Sequence, residues 1–275
     1  MKISIPCFAA ALAVASVARG IGGAAADVGV QNAAVAVPPE RTIAEEVAVL
    51  EKGRISARQR SFARLATHPD PAADGILRKQ FERYRSHDLP AAVWLDLFDA
   101  MAKRGTPELK ALLAERDAEL AKATNPFKRF EECLEGGNGE AGRAVFEKRP
   151  EAGCVRCHSV DGKGGQIGPE LTWLRHNTER SHILESIIIP NSTIATGFDS
   201  VALKLKSGET VAGIVRGESA VDLTLASFVD GKRSTVKLSK VVERTPLPSP
   251  MPPAFGQVLD QRAIRDLVQF IAEGD

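Results

Sequence analysis

Three side chains that can ligate iron or form a covalent bond to carbon lie close together in residues 152–171, "AGCVRCHSVDGKGGQIGPEL". Cys154 and Cys157 are three residues apart, and His158 directly follows the second cysteine. Two thiols at this spacing can each form a thioether with one vinyl-derived carbon of a haem, which holds the next residue against one face of the iron. The pattern Cys-x-x-Cys-His therefore predicts covalent attachment of one haem c per chain, with His158 as an axial iron ligand.

Three other uses of the two cysteines compete with haem attachment. A zinc site needs four ligands, but Cys133 is the only further cysteine after residue 26, and no second ligand pair is present. A thioredoxin-like redox pair is expected in a βαβ setting, which the sequence does not indicate. A structural disulfide between Cys154 and Cys157 would close a small, strained loop. Haem attachment is the favoured interpretation.

The second axial ligand is predicted to be Met251. Met1 belongs to the N-terminal leader, and Met101 lies in an apolar helical stripe, where methionine normally fills core volume. Met251 stands among prolines in "PLPSPMPPAF", a stiff extended segment suited to presenting a thioether. The alternative is a proline-rich connector with an incidental methionine. His176 and His182 are two further possible ligands. Surface roles are preferred for both, because the first follows the cysteine motif and its loop too closely to cross to the opposite face.

The chain begins with features of a secretory signal peptide. One lysine precedes an apolar run from Ile3 to Val17, and small residues end in Ala24-Ala25-Ala26. We therefore expect a signal peptide at residues 1–26, a periplasmic or secreted location and no membrane span after cleavage; an uncleaved anchor is the alternative. Residues 27–40 have no helical or strand period and are interpreted as a linker.

Residues 41–135 have the apolar spacing of successive amphipathic helices. Prolines 71, 90, 107 and 126 fall near predicted helix starts, and Thr106-Pro107 and Asn125-Pro126 have the form of an N-cap followed by proline. Short connections between such helices predict an α-helical module of stacked antiparallel pairs, similar to HEAT-type repeats.

A second domain is predicted at residues 139–275, after the glycine-rich break at 136–139. It begins with the helix "GEAGRAVFEK" and closes with "DQRAIRDLVQFIAE". Between them, at about 200–243, apolar and polar residues alternate, and the turn pairs Ser207-Gly208 and Asp230-Gly231 separate the alternating runs. The expected fold is mainly α with a β insertion of four or five antiparallel strands.

The flanks of the cysteine motif carry a resemblance to a known family. "GRAVF", "CVRCHSVDGKGGQIGPEL", "SPMPPAF" and "AIRDLVQFI" occur in the order found in class I c-type cytochromes. The stretch from about 139 to 273 more narrowly resembles the haem-binding domain attached to large secreted dehydrogenase-like proteins, in which a helical repeat region precedes it and a β insertion interrupts it. The resemblance implies a cytochrome c-like fold.

The resemblance also implies roles for individual residues. In the segment "IGPEL", the Pro169 carbonyl is expected to accept the His158 Nδ1–H and so orient the ring. Trp173 and Arg175 follow this loop and are candidate hydrogen-bond donors to the haem propionates; an ordinary core aromatic and a surface cation are the alternatives. Gly142 is expected to let the first helix of this domain approach the last.

These observations together predict an electron carrier rather than an enzyme. Lysine and arginine number 36 against 35 aspartates and glutamates, so nucleic acid is not an expected partner. Histidine and methionine on the two axial positions favour one-electron transfer, with a redox partner such as a dehydrogenase or another cytochrome. A haem peroxidase or oxidase assisted by His176 or His182, and an interaction scaffold stapled by haem, are the alternatives.

Overall fold

The computed structural model describes residues 41–275, which form one compact unit. The predicted signal peptide at 1–26 and the predicted linker at 27–40 lie outside the described residues. Helices dominate the described part, and one small antiparallel sheet interrupts them, so the prediction of a mainly α fold with a β insertion is confirmed at this level. No helix within residues 41–275 is both long and apolar enough to cross a membrane.

Five α-helices build the first part of the described chain. They are α1 (Ile43–Lys52), α2 (Ile55–Leu65), α3 (Ala72–Arg85), α4 (Trp94–Arg104) and α5 (Pro107–Ala121). Thr42 and Glu45 form a capping box at the start of α1, and Gly105 ends α4 in the left-handed conformation, with φ 68°. The apolar faces meet in one core that includes the fully buried Phe62 and Met101.

The two predicted proline caps differ in the structure. Asn125 caps the segment that begins with Pro126, since its Oδ1 accepts the Phe127 backbone N–H at 2.9 Å. That segment, Pro126–Cys133, is a 3₁₀ helix and not an α-helix. Thr106 occupies the N-cap position of α5, but its hydroxyl makes no capping hydrogen bond.

The second part of the described chain holds the remaining helices. They are α6 (Gly139–Lys148), the single turn α7 (Cys154–Cys157), α8 (Arg180–Ile188), α9 (Phe255–Val258) and α10 (Gln261–Glu273). Helices α6 and α10 cross closely: a β-carbon on Gly142 would meet the Asp266 carbonyl oxygen and lie 2.7 Å from the Phe270 Cβ. The Phe146 and Phe270 rings pack at this crossing, with centroids 5.7 Å apart. The predicted close approach at Gly142 is therefore confirmed.

Seven strands form two sheets in this part. A two-stranded sheet pairs β1 (Ser159–Val160) with β2 (Lys163–Gly164). The larger sheet contains β3 (Ser200–Leu205), β4 (Thr210–Glu218), β5 (Asp222–Ala226), β6 (Arg233–Lys237) and β7 (Val241–Leu247). All pairs in the larger sheet are antiparallel, in the order β6-β5-β4-β3-β7. One face buries Val201, Leu203, Leu223 and Leu225.

The helical part and the second part are joined by buried polar contacts. The Arg265 guanidinium on α10 donates to Asp96 on α4 at 2.7 Å, and both side chains are almost fully buried. Arg262 donates to the other Asp96 oxygen at 3.1 Å. Gln59 on α2 donates to the Gly136 carbonyl at 2.7 Å. These contacts fix α10, which also crosses α6, against the helical part.

Candidate haem site

The two motif cysteines share one helical turn. Gly153 precedes this turn with φ 58°, a conformation that glycine adopts without strain. Within the turn, residues three apart lie on the same side, which brings the thiols of Cys154 and Cys157 together. Both are free, half-buried thiols. Cys154 packs against the helical core of the second part, whereas Cys157 packs beside Ile167.

The His158 ring is held in one orientation. Its Nδ1 lies 2.8 Å from the Pro169 carbonyl oxygen, which is the contact that the resemblance implies. A carbonyl only accepts, so Nδ1 carries the hydrogen and Nε2 keeps its lone pair. Burial lowers the pKa of His158, although the hydrogen bond to Pro169 opposes this effect. Burial thus favours the neutral imidazole, in which Nε2 is available to bind a metal.

A glycine-rich loop, residues 162–168, packs against the cysteine motif. The backbone N–H of Gly165 donates to the Val155 carbonyl, and that of Gly168 donates to the Cys157 carbonyl, both at 2.8 Å. A β-carbon on Gly168 would lie 2.7 Å from His158 Nδ1, so a larger residue would displace the ring. These glycines were not predicted as site residues, although the run "GKGGQIG" signalled a loop that needs close backbone approach.

The thiols of this region are held in the protonated form. Burial raises the pKa of Cys154 to about 11 and also raises the pKa of Cys157. Burial raises the pKa of Cys133 to about 12; this thiol is fully buried and donates to the Gln261 carbonyl at 3.3 Å. Cys133 is therefore enclosed in the core, while the two motif thiols lie at its edge.

Met251 lies at the edge of the same core. It is half-buried and packs against the cluster that also contacts Cys154. Its segment is anchored, because the Ser249 backbone N–H donates to Asn191 Oδ1 at 2.7 Å and the Met251 N–H donates to the Ser249 hydroxyl at 3.2 Å. Met101, by contrast, is fully buried in the helical part. Sequence reasoning missed Asn191 and Ser249, whose roles depend on a contact between distant segments.

Trp173 and Arg175 follow the glycine-rich loop, and of the two Trp173 is exposed while Arg175 is largely buried. Trp173 is 60% exposed and therefore is not a core aromatic residue. The two terminal nitrogens of Arg175 donate to the Asp161 carboxylate at 2.8 and 3.0 Å, and its guanidinium lies 5.8 Å from the centroid of the Phe270 ring. A contact from Arg175 to a haem propionate would require this ion pair to open. Both roles towards haem stay predictions.

The chemistry of the donor set fits a c-type haem. Within residues 41–275, no group of three or more His, Cys, Asp or Glu side chains is placed to hold a metal ion. A haem iron takes only two protein ligands, and two thiols, one oriented imidazole and one half-buried thioether are present. His176 and His182 are both exposed.

Two cavities lie away from the cysteine motif. One, of about 480 Å³, is lined by Tyr84, Trp94 and Arg116 in the helical part. The other, of about 680 Å³, is lined by Phe130, Ile188 and Pro253, and so borders the segment that carries Met251. Neither cavity includes Cys154, Cys157 or His158 among its lining residues.

The β insertion contacts the loop after His158 directly. Ile214 on β4 and Ala226 on β5 form a buried cluster with Ile167, and Cys157 packs against this cluster. The sequence of the insertion contains no histidine, cysteine or methionine, which predicts a surface sheet that tunes docking and does not hold haem. The structure adds that the sheet has two apolar faces, and that the second face covers the loop after His158. The expectation that the insertion does not hold haem stays a prediction.

A scan against models of known protein families finds no match to this chain, and a search of curated proteins also finds none.

Proposed function

We propose that this chain is a secreted or periplasmic c-type cytochrome that transfers single electrons between protein partners. The observation that carries the proposal is the oriented imidazole: His158 directly follows a turn with two free thiols, and Pro169 fixes its Nδ1–H. A bound haem would supply a one-electron Fe(III)/Fe(II) couple. The resemblance to class I c-type cytochromes supports the same assignment.

Each residue of the site has a distinct role in this proposal. Cys154 and Cys157 provide the two thioether bonds, and His158 provides the proximal ligand through Nε2. Pro169 holds the tautomer that leaves Nε2 free, because its carbonyl accepts from Nδ1. Met251 provides the distal thioether ligand from the segment anchored at Ser249. A haem held by both His158 and Met251 would favour electron transfer over chemistry on a small substrate.

Covalent attachment is tested by the cysteine variants. The chain is expressed with its own leader in a periplasm that has cytochrome c maturation, and haem stain is measured after denaturing electrophoresis. We expect stain on the wild-type chain and none on the Cys154→Ala/Cys157→Ala double variant, since the thioether bonds are then lost.

Cys133→Ala is the matched control, because Cys133 is a buried thiol in the same part of the chain. This variant is expected to keep the stain. A colourless wild-type chain, or stain that survives loss of both motif thiols, would contradict the proposal.

The distal ligand is tested with Met251→Leu, which keeps the volume and removes the sulfur. We expect the reduction potential to fall and the weak red absorption band of methionine-ligated ferric haem to disappear. Met101→Leu is the control and should leave both unchanged, because Met101 is enclosed in the helical core. An unchanged spectrum in Met251→Leu would remove Met251 from the site and make His176 and His182 the next ligands to replace.

The electron partners are proposed from the family resemblance. A dehydrogenase or another cytochrome would reduce or oxidise this chain one electron at a time. Rapid mixing with redox proteins that co-purify from the native periplasm tests this step. Failure of every such protein to exchange electrons at useful rates would favour a structural role for the haem.

A further inference from the structure

One arginine of the β insertion reaches the loop that orients His158. Arg216 on β4 donates from one terminal nitrogen to the carbonyl oxygens of Gln166 at 3.1 Å and Ile167 at 2.7 Å. Its other terminal nitrogen donates to the Gly197 carbonyl at 3.2 Å. The guanidinium thus bonds three backbone carbonyls, two of them in the segment just before Pro169.

Arg216 lies in a β-bulge of β4. In the pairing of β4 with β5, Val215 faces Leu225 and Gly217 faces Thr224, so Arg216 is the extra residue. Bulges bend a strand and redirect the side chain of the inserted residue. Arg216 lies on the sheet face of Ile214, which packs against Ile167. The position of Arg216 on this face lets the guanidinium reach the carbonyls of the loop.

The guanidinium is held by packing rather than by an acidic partner. Its central carbon lies 4.1 Å from the centroid of the Phe198 ring. The ion pairs formed within residues 41–275 include none from Arg216. An arginine that bonds only carbonyls and stacks on an aromatic ring holds backbone in place, and lysine cannot reproduce this planar set of donors.

We propose that Arg216 is a positioning residue: it holds the Gln166–Ile167 backbone so that the Pro169 carbonyl keeps His158 in the tautomer with Nε2 free. This inference rests on the proposed function, because it concerns the proximal side of the haem site. The chain of contacts is short. Arg216 bonds the Ile167 carbonyl, the next residue is Gly168, which packs on the His158 ring, and Pro169 follows it. The β insertion is therefore a part of the site that orients a ligand.

Two substitutions of Arg216 separate the effect of its hydrogen bonds from the effect of its charge. Arg216→Met keeps the packing on Phe198 and loses the charge and all hydrogen-bond donors. Arg216→Lys keeps the charge and loses the planar set of guanidinium donors. Arg233→Met is the matched control. Arg233 is exposed and lies near enough to Arg216 to lower its pKa, after the larger effect of burial, so this variant removes a nearby charge without touching the loop.

Three readouts follow the His158 ring and the loop beside it. In the haem-loaded ferric chain, proton NMR of the haem methyl groups reports the orientation of the axial imidazole plane. In the haem-free chain, ¹⁵N NMR of His158 reports its tautomer, and hydrogen exchange reports the Gly168 amide, which donates to the Cys157 carbonyl at 2.8 Å. We expect both Arg216 variants to alter the methyl pattern, to mix the tautomers and to speed Gly168 exchange by about five- to tenfold. Arg233→Met should leave all three unchanged.

Two results would overturn the positioning role. One is a wild-type methyl pattern, tautomer and exchange rate in both Arg216 variants. The other is equal changes in Arg216→Met and Arg233→Met, which would assign the effect to charge. If the wild-type chain fails to attach haem, the proposed function fails, but the tautomer and exchange measurements on the haem-free chain still decide whether Arg216 orients His158.

Discussion

The helical part and the part with the cysteine motif differ in how far they bury their sulfur-containing side chains, although Cys133 in the second part is as enclosed as Met101. In the helical part, Met101 is fully enclosed, and Glu46 is buried against Arg64. In the second part, Cys154 and Met251 are only half-buried at the edge of the core. The comparison teaches that the helical core encloses its methionine completely, whereas the second core leaves Cys154 and Met251 at its edge, where less of each side chain is buried.

The largest effect is expected where the two parts meet. Asp96→Ala removes the partner of the buried Arg265 and leaves its charge uncompensated, which should cost about 3–5 kcal/mol in the free energy of unfolding. Asp99→Ala is the control, because Asp99 is half exposed and also pairs with Arg262; its loss should be about 0–1 kcal/mol. Urea unfolding measures both, and equal losses would show that the buried pair does not join the two parts.

Two methionines allow the same substitution in both cores. Met101→Ala should lower the free energy of unfolding by about 2–5 kcal/mol, because it opens a cavity in a closed core. Met251→Ala in the haem-free chain should cost about 1 kcal/mol, since this side chain is only half-buried. Urea unfolding of the haem-free variants is the measurement. A larger loss for Met251 than for Met101 would show that the second core depends on its edge residues.

Two glycines give a matched pair on helices. Gly142→Ala pushes a methyl group into the Asp266 carbonyl at the α6–α10 crossing, with an expected loss of about 1–3 kcal/mol. Gly75→Ala on α3 meets nothing within 4 Å and should gain about 0.5–1 kcal/mol from helix propensity. Thermal unfolding distinguishes the two signs. A loss of stability in Gly75→Ala would contradict the open space described around it.

The smallest expected effect is on how stability depends on pH, which should have opposite signs for one buried carboxyl group in each part. In the helical part this group is Glu46. Burial tends to raise the pKa of Glu46, but hydrogen bonds from Arg64 and Ser61 outweigh it and lower the pKa below 4.5. A lowered carboxyl pKa stabilises the fold at higher pH, and this contribution is lost as the pH falls below 4.5. Glu46→Gln should therefore be destabilised most at neutral pH, and its difference from wild type should shrink in acid.

In the second part the buried carboxyl group is Asp266. Burial raises its pKa above 3.8, although the hydrogen bond from the Asn138 backbone N–H acts to lower it. A raised carboxyl pKa costs stability above that pKa, and the cost is relieved as the pH falls towards 3.8. Asp266→Asn should therefore be more stable than wild type at neutral pH, by a margin that shrinks in acid. Urea midpoints between pH 3 and 7 measure both variants, and parallel curves for Glu46→Gln and Asp266→Asn would contradict the comparison.

Local sequence signals predicted much of the second part. The helix "GEAGRAVFEK" spans the residues of α6, and the glycine at 142 marked its crossing with α10. The alternating segment gave five strands, although the last one runs to Leu247, beyond the predicted end of the insertion. The 3₁₀ helix at Pro126–Cys133 differed from expectation, because an amphipathic spacing does not distinguish a tight helix from an α-helix over eight residues.

The sequence by itself determined which residues are proposed to carry chemistry: Cys154, Cys157 and His158 lie within five residues, and their spacing alone predicts haem attachment. Tertiary structure alone decided what surrounds them. The bulge at Arg216, the second apolar face of the sheet and the anchor from Asn191 to Ser249 join segments up to 58 residues apart. Such contacts arise from packing between elements and leave no periodic signal in the chain, because each partner alone is an ordinary surface or strand residue.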